Sequence, residues 1–319
     1  MCGSRRSHAA ADEGKGAVDR RSYLELGQGW RRLATTGVGP FALSERLEAP
    51  DGRVVEWRSR LQRLRPGLLD RSRGSTWWAP GAVVWWIAVL FTIGSACFAL
   101  GAMPGYVDLV GAQADATTFF IGSLFFTTAA FLEYLQVVNA DRTPRVDDTA
   151  LAGHSAEGAT RPRRRLLSFE PHRLDWWAVT VQLLGTLLFN YSTFHALDLT
   201  LEPQGVNRVV WFPDWLGSAC FLVASGAALL ELGRGWFSWR PREFEWWVAN
   251  LNMVGSLAFG VSAVASRIVV TNGEPRNQEL TNLGTFVGAL CFAAGAVLLL
   301  PERAAAQPPA EEPDPAAAR

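Results

Sequence analysis

The stretch WWAVTVQLLGTLLF, residues 176–189, decides the fold because it recurs twice more in the chain. Residues 85–98 read WWIAVLFTIGSACF, and residues 246–259 read WWVANLNMVGSLAF. In each copy a Trp pair is followed by seven further residues and then by Gly with Ser or Thr, with Phe four positions after the Gly. Because the repeated residues are mostly apolar, we predict three related units inserted in a membrane.

Six apolar blocks of about 20 residues extend through these repeats, and each is long enough to cross a hydrocarbon core of about 30 Å. The blocks are residues 84–103, 118–138, 176–197, 209–230, 246–267 and 281–300. We therefore predict an all-α fold, a polytopic membrane helix bundle of six transmembrane helices. They would form three parallel two-helix repeats around a pseudo-threefold axis.

Each of the six blocks also carries a Gly, a small residue directly after it and a Phe four positions after it. The glycines are Gly94, Gly122, Gly185, Gly217, Gly255 and Gly288. Another small residue follows seven positions after each Gly, and these positions share one helix face. Helices in a bilayer associate largely through small residues, so we expect these faces to be helix contacts. A ligand pocket formed by the glycines is the alternative.

Aromatic residues mark where the odd-numbered blocks begin. An aromatic residue, one further residue and Pro precede each Trp pair, and we predict that Pro80, Pro171 and Pro241 each occupy the first position of a helix. Tryptophan is enriched at membrane interfaces. The expected interface anchors are Trp85, Trp86, Trp176, Trp177, Trp246 and Trp247.

Arginine is concentrated in alternate connections. Outside the N-terminal segment these arginines are Arg142, Arg145, Arg161, Arg163, Arg164, Arg165, Arg173, Arg234, Arg240 and Arg242. By the positive-inside rule both termini are predicted to be cytoplasmic, and the location is predicted to be a bacterial cytoplasmic membrane. The predicted segments are a disordered N-terminus 1–21, an Arg-rich segment 22–79, unit one 80–139, a linker 140–168, unit two 169–233, unit three 234–302 and a disordered tail 303–319.

The Arg-rich segment contains a turn signal at residues 49–53, APDGR. Beyond it, Trp57, Leu61 and Leu64 recur at helical spacing among arginines. We interpret residues 54–65 as a basic amphipathic helix on anionic lipid headgroups, or alternatively as a solvated helix. The expected partners are therefore the lipid bilayer and its anionic headgroups, together with a protein partner or a second copy of the chain.

Polar residues within the blocks are the candidate functional residues, since such residues are costly in a membrane. They are Gln182, Asn190, Tyr191, His195, Asp198 and Asn252. Tyr191, His195 and Asp198 lie on one helix line, so Asp198 could orient a titrating His195. Interhelical hydrogen bonding is the alternative for Gln182 and Asn252. The even blocks end in Glu133, Glu231 and Glu302, which we expect to pair with the Arg-rich linkers.

The pair IGSACF and FFIGSLFF, residues 93–98 and 119–126, resembles the YrhK-like domain, a small two-helix bacterial membrane module. The resemblance implies up to three such modules within residues 80–302, and it implies fold and location without an activity. We find no nucleic-acid motif, no catalytic motif, no cofactor site and no metal ligand set, because Cys97, Cys220 and Cys291 share no register with His or acid. We therefore predict a non-enzymatic structural, interaction or lipid-sensing module, with a small-solute or ion transporter as the alternative.

Overall fold

The computed structural model describes residues 24, 26–64, 75–140, 164–232 and 239–306. The predicted disordered N-terminus, residues 1–21, lies outside these residues, as does most of the linker at 140–168. Most of the predicted tail at 303–319 is outside them too. Its first residues contradict the prediction, because the last helix continues to Ala305 and Arg303 is buried.

The all-α prediction is wrong for the Arg-rich segment, which forms a three-stranded antiparallel sheet in the order β1-β2-β3. The strands are β1 Arg31–Val38, β2 Phe41–Glu48 and β3 Val54–Arg58. Gly39 and Gly52 lie in the two connecting turns, and both have a positive φ that favours glycine. The second turn is the one predicted at residues 49–53, and there the Ala49 amide donates to the Arg53 carbonyl at 2.8 Å.

The basic helix predicted at residues 54–65 is also wrong in its first half. Residues 54–58 are strand β3, and only Ser59–Leu64 is helical, as α1. Pairing with β2 places Trp57 in a small core with Leu24 and Leu47. Burying the large indole against these side chains favours the strand over a helix that would leave it exposed to lipid or water.

Helices make up most of the rest of the described chain. They are α2 Val83–Gly101, α3 Tyr106–Val110, α4 Ala112–Val138, α5 Leu174–His195, α6 Pro203–Val206, α7 Phe212–Glu231, α8 Phe244–Ala265 and α9 Gln278–Ala305, of which α3 and α6 are short. A π-helical turn at Asn207–Trp211 joins α6 to α7. Between α8 and α9, the short strands β4 Ile268–Val269 and β5 Glu274–Pro275 pair with each other.

Five helical segments are long and apolar enough to cross a membrane, so the chain is a multi-pass, mostly helical membrane protein. They are Val83–Gly101, Ala112–Val138, Pro203–Glu231, Phe244–Ala265 and Gln278–Ala305. Helix α5 is 22 residues long, as is α8. The polar side chains of α5 leave that helix outside this apolar group.

The six long helices pack in chain order, α2 on α4, then α5, α7, α8 and α9, and α9 packs back on α2. We call the end near the three-stranded sheet the sheet end, and the opposite end, which holds α3 and the β4–β5 loop, the loop end. Because α9 contacts α2, the six helices form a closed ring in which no helix lies at an open edge. Its interior is therefore enclosed by helices on every side.

Within each helix pair, the motif Gly of one helix faces the motif Phe of the other. A Cβ atom on Gly94 would lie 2.5 Å from Phe126 Cδ2, and one on Gly217 would lie 2.6 Å from Phe189 Cδ2. The same relationship holds for the remaining Gly–Phe pairs: Gly122 with Phe98, Gly185 with Phe221, Gly255 with Phe292 and Gly288 with Phe259. These glycines are therefore places where helix backbones approach too closely for any side chain.

The six motif phenylalanines meet at the middle of the ring. They are Phe98, Phe126, Phe189, Phe221, Phe259 and Phe292, and all are buried. Contacts connect all three pairs: Phe98 lies 6.1 Å from both Phe189 and Phe259, measured between ring centroids. No room for a water molecule remains among five of these rings. The centre of the bundle is therefore filled by aromatic side chains.

The three prolines do not begin helices as predicted. Each helix starts three residues later, at Val83, Leu174 and Phe244. The reason is a backbone turn around the proline, which in the first copy is closed by the Ala82 amide donating to the Ala79 carbonyl at 2.8 Å. Proline fits the second position of such a turn because its φ is already set.

These turns hold the Trp pairs. The second indole of each pair donates to the proline carbonyl six residues earlier, at 3.0 Å from Trp86, 3.0 Å from Trp177 and 2.9 Å from Trp247. These second rings are exposed, whereas the first ring of each pair is buried. Only the second tryptophans therefore have the exposure expected of an interface anchor.

Candidate functional site

A cluster of charged and amide side chains occupies the sheet end of the helix ring. The second helix of each helix pair carries one of these side chains fourteen residues after its motif Gly. They are Gln136 on α4, Glu231 on α7 and Glu302 on α9. All three bind α1, the short helix that follows the sheet. We call these three residues the α1 clamp.

Each member of the α1 clamp has its own partner on α1. Glu302 receives two hydrogen bonds from the Arg60 guanidinium, at 2.6 and 3.0 Å. Glu231 accepts from the Ser59 hydroxyl at 2.6 Å and from Arg63 at 2.5 Å. Three helices of the ring thus hold α1, each through a residue at the same spacing from its motif Gly.

The Gln136 amide completes the clamp by donating to the Arg63 carbonyl at 2.7 Å. This contact satisfies a backbone oxygen at the end of α1, where helical carbonyls lack partners within the helix. The amide therefore binds the backbone of α1, whereas the two carboxylates bind its side chains.

The charges of the clamp are well compensated. Glu231 and Glu302 are buried, and the side chains of Arg60 and Arg63 are each only 11 % exposed. Burial alone would lower the pKa of the Arg60 guanidinium, but the Glu302 carboxylate, together with Glu231 and Glu245, raises that pKa above its ordinary value. Arg60 therefore stays charged.

The pairing of the helix-end glutamates differs from the sequence prediction. In the described residues, Glu231 and Glu302 pair with arginines of the N-terminal segment, Arg63 and Arg60. Glu133, one turn deeper in α4, accepts a hydrogen bond from Gln182 at 3.0 Å. Two features of the sequence indicated this cluster. Arg60 and Arg63 are three residues apart in a short helix, and Glu231 and Glu302 are each fourteen residues after a motif Gly.

Below the α1 clamp lies a cavity of about 60 Å³. Gln182 and Asn252, two of the candidate residues, line it together with Glu133, and Phe91 takes the equivalent position in the first unit. Asn252 packs on the last helix, where a Cβ on Gly295 would lie 2.8 Å from its Oδ1. The space is enough for about two water molecules and ends at the phenylalanine centre.

The other candidate residues lie at the loop end and do not join this cavity. His195 Nδ1 lies 2.8 Å from the Tyr191 carbonyl oxygen of its own helix. Asp198 accepts hydrogen bonds from the hydroxyl and the amide of Thr200, at 2.6 and 3.0 Å, and these hold the pKa of its carboxyl below the ordinary value. Its hydrogen bonds therefore stabilise the loop after α5.

Asn190 lies on α5 between these two groups of residues. Its Oδ1 is buried without a hydrogen-bond partner among the described residues. Thr127 on α4 has a hydroxyl in the same condition. Both lie five residues after a motif Gly, and the equivalent residues Leu222 and Gly260 contact each other between α7 and α8. We therefore place Thr127 and Asn190 at the contact between α4 and α5.

A second polar cavity, of about 210 Å³, separates the sheet from the helix ring. Its lining includes Arg58, Arg240 and Glu245, and a guanidinium nitrogen of Arg58 lies 3.9 Å from Glu245 Oε1. Opposite charges on the sheet and the ring thus face each other across this space. The sheet is held by α1 and by this second set of charges.

Within the described ranges, no three His, Cys, Asp or Glu residues lie together in a way that could hold a metal ion. The site binds an arginine-bearing helix and has room for about two water molecules beside it. Comparisons with protein-family models, curated proteins and solved structures find no match for the chain.

Proposed function

We propose that the chain is a non-enzymatic structural and interaction module of the bacterial cytoplasmic membrane, in which a closed helix ring holds the N-terminal sheet at the membrane surface. The observation that carries this proposal is the phenylalanine centre, which leaves no room for a water molecule. A solute pathway needs a continuous polar cavity, and the cavity at the sheet end stops at these rings. A filled centre suits a protein that holds the sheet at the membrane and conducts no solute, and we call this role the anchor function.

The finer architecture is part of the proposal: six transmembrane helices in three parallel two-helix repeats around a pseudo-threefold axis. The reciprocal Gly–Phe contacts support it, since they recur in the pairs α2–α4, α5–α7 and α8–α9. The recurring turn and Trp pair before α2, α5 and α8 support it too. Helix α5 would span the membrane because it has the same contacts as α2 and α8.

Both termini are proposed to be cytoplasmic. The Arg-rich connections and the α1 clamp are at the sheet end, and the exposed second tryptophans there suit the headgroup level. Arginines of this end that are not engaged in the clamp would contact anionic lipid headgroups, each contributing about 1 kcal/mol. The lipid bilayer is then a partner as well as the solvent.

A protein partner or a second copy of the chain would bind the sheet. Strand β1 is at the edge of the sheet and is mostly exposed, so its backbone can pair with another strand. The likeness to YrhK-like two-helix modules suits this role, because it implies membrane location without an activity. Each helix pair would be one such module.

A flux assay tests the anchor function. The purified chain in proteoliposomes is expected to pass neither protons nor potassium ions, as read by an entrapped pH dye and a potassium gradient. The Phe98→Ala/Phe259→Ala double variant should leak, since it removes two adjoining rings from the centre. Val254→Leu, on the exposed face of α8, is the matched control. Proton or potassium flux through the unaltered protein would contradict the anchor function.

A transporter or channel is the second candidate, and one observation favours it: Gln182, Glu133 and Asn252 line a polar cavity inside the ring. In that function α1 would act as a plug that leaves when the path opens. Replacing both Arg60 and Arg63 by Ala should then produce flux while the phenylalanines are intact. The anchor function predicts no flux from this variant.

A further inference from the structure

An apolar crevice of about 680 Å³ opens between α7 and α8 toward the loop end. Its walls include Leu222, Leu257 and Val261, and Arg276 lies at its rim. A volume of a few hundred Å³ with mostly apolar walls and few polar groups is typical of ligand sites. The crevice lies along two helices that are apolar enough to span a membrane, so hydrocarbon chains reach it.

Small side chains create this crevice. Gly260 and Ala219 line it, and the equivalent positions at the α4–α5 contact carry Asn190 and Leu124. There Phe120 and Phe194 fill the space, with ring centroids 5.8 Å apart. The α4–α5 interface thus provides a reference in which larger side chains occupy the equivalent positions.

Positive charge lies at the loop end of the crevice. The Arg276 amide donates to the Arg267 carbonyl at 3.0 Å, so the two arginines are adjacent. The Arg267 guanidinium lies over the Trp211 ring at 5.2 Å. Among the residues that the structure describes, no carboxylate pairs with the Arg276 guanidinium, which is exposed.

The crevice is also long enough to hold part of a lipid acyl chain. Its lining on α8 extends from Leu257 to Ala265, which is roughly 12 Å along the helix axis at 1.5 Å per residue. Trp215, at the start of α7, is 40 % exposed and lines the rim, where an indole can reach the headgroup level. Apolar walls, a rim indole and an unpaired guanidinium match the parts of a phospholipid.

We propose that this crevice is a binding site for one anionic phospholipid, with an acyl chain between α7 and α8 and the phosphate at Arg276. The chain is held by burial of its methylene groups, and the headgroup by charge-assisted hydrogen bonds from the guanidinium. The site is independent of the α1 clamp, which lies at the other end of the ring.

Native mass spectrometry of the full chain, with phosphatidylglycerol or phosphatidylcholine added in detergent, tests this proposal. One phosphatidylglycerol is expected to stay bound. Gly260→Leu should abolish this binding by filling the crevice, and the substitution is tolerable because a Cβ there meets only Leu222 Cδ1, at 3.4 Å. Ala219→Leu fills the crevice from the other wall and gives an independent result. Val254→Leu is the matched control outside the crevice.

The headgroup contact is tested separately. Arg276→Gln should lower the preference for phosphatidylglycerol over phosphatidylcholine about fivefold. Arg208→Gln, an exposed arginine outside the lining, should leave the preference unchanged. Unchanged lipid binding in both filled variants would overturn the proposal. A dimer that disappears with Gly260→Leu would also overturn it, because a second copy would then be the occupant.

Discussion

Arg60 donates two hydrogen bonds to Glu302 across 242 residues of chain, and both side chains are almost fully buried. The contact joins the turn after the sheet to the end of the last helix. A buried ion pair adds little net stability over apolar residues, but removing one partner leaves a buried charge alone. The pair therefore specifies where α1 binds.

The Arg60–Glu302 pair should show strong coupling. Either Arg60→Met or Glu302→Leu alone is expected to cost about 3–5 kcal/mol in free energy of unfolding, whereas the double variant should cost much less. Reversible unfolding in detergent measures the cycle. The exposed pair Arg31–Glu48 is the control, with an expected effect below about 1 kcal/mol. Additive losses at Arg60 and Glu302 would refute the coupling.

Glycine substitutions should separate packing glycines from the crevice glycine. Gly94→Ala is expected to cost about 1–3 kcal/mol, because its Cβ would lie 2.5 Å from Phe126 and 2.9 Å from the Gly122 carbonyl oxygen. Gly260→Ala should be nearly neutral. Melting temperatures in one detergent compare the two. Equal losses would show that the Gly–Phe contacts do not limit packing.

A substitution on α9 can supply the hydrogen bond that Ser95 on α2 lacks. Ser225 and Ser256 bond across α7 and α8 at 2.8 Å, whereas Ser95 Oγ is buried without a partner in the described structure. The repeat places Ala296 opposite Ser95, at the position of Ser225. Ala296→Ser should therefore stabilise the protein by about 0.6 kcal/mol.

The control for that substitution is Ala130→Ser at the α4–α5 contact. There the equivalent hydroxyl, on Thr186, already donates to the Leu183 carbonyl at 2.8 Å. A smaller gain in unfolding free energy is expected from this variant, because the Thr186 hydroxyl already has a hydrogen bond although it can still accept another. If both serine variants stabilise equally, the gain comes from the residue type and not from Ser95.

The carboxyl of Asp198 should titrate below its ordinary value of 3.8 because Thr200 donates to it. Its depressed pKa favours the folded loop at pH values above 3.8, and this contribution is lost as the pH falls through the folded pKa. Thr200→Val is expected to raise the pKa, as measured by carboxyl NMR. His195→Ala should raise it less, since the His195 charge is the smaller influence. A larger effect of His195 would revive the relay between these side chains.

The sequence predicted the long apolar helices and the glycines at their contacts. Gly94 and its equivalents indicated helix contacts because close approach in a bilayer requires small residues. The sheet was missed because β1 has few large apolar residues, β3 has only five residues, and the sheet is stabilised by a small core around Trp57. Such strands carry little hydrophobic periodicity of their own.

The sequence indicated the acids of the α1 clamp but not their partners. Glu231 and Glu302 were recognised as acids at helix ends, but their partners lie more than 150 residues away in the chain. Sequence spacing carries no information about which helix turn reaches them. Gln182 was predicted as a polar site residue, and its partner Glu133 depends on how α4 packs on α5.

Docking of α1 on the ring is the central claim, and a thiol crosslink of short reach tests it most directly. In a chain whose four cysteines are replaced, Ser59→Cys and Glu231→Cys should be joined in native membranes by a short bifunctional thiol reagent, because Ser59 Oγ and Glu231 Oε1 lie 2.6 Å apart and Cys is shorter than the Glu it replaces. The pair Ser225→Cys and Ser256→Cys is the positive control within the ring. A crosslink in the control but none between residues 59 and 231 would contradict the account.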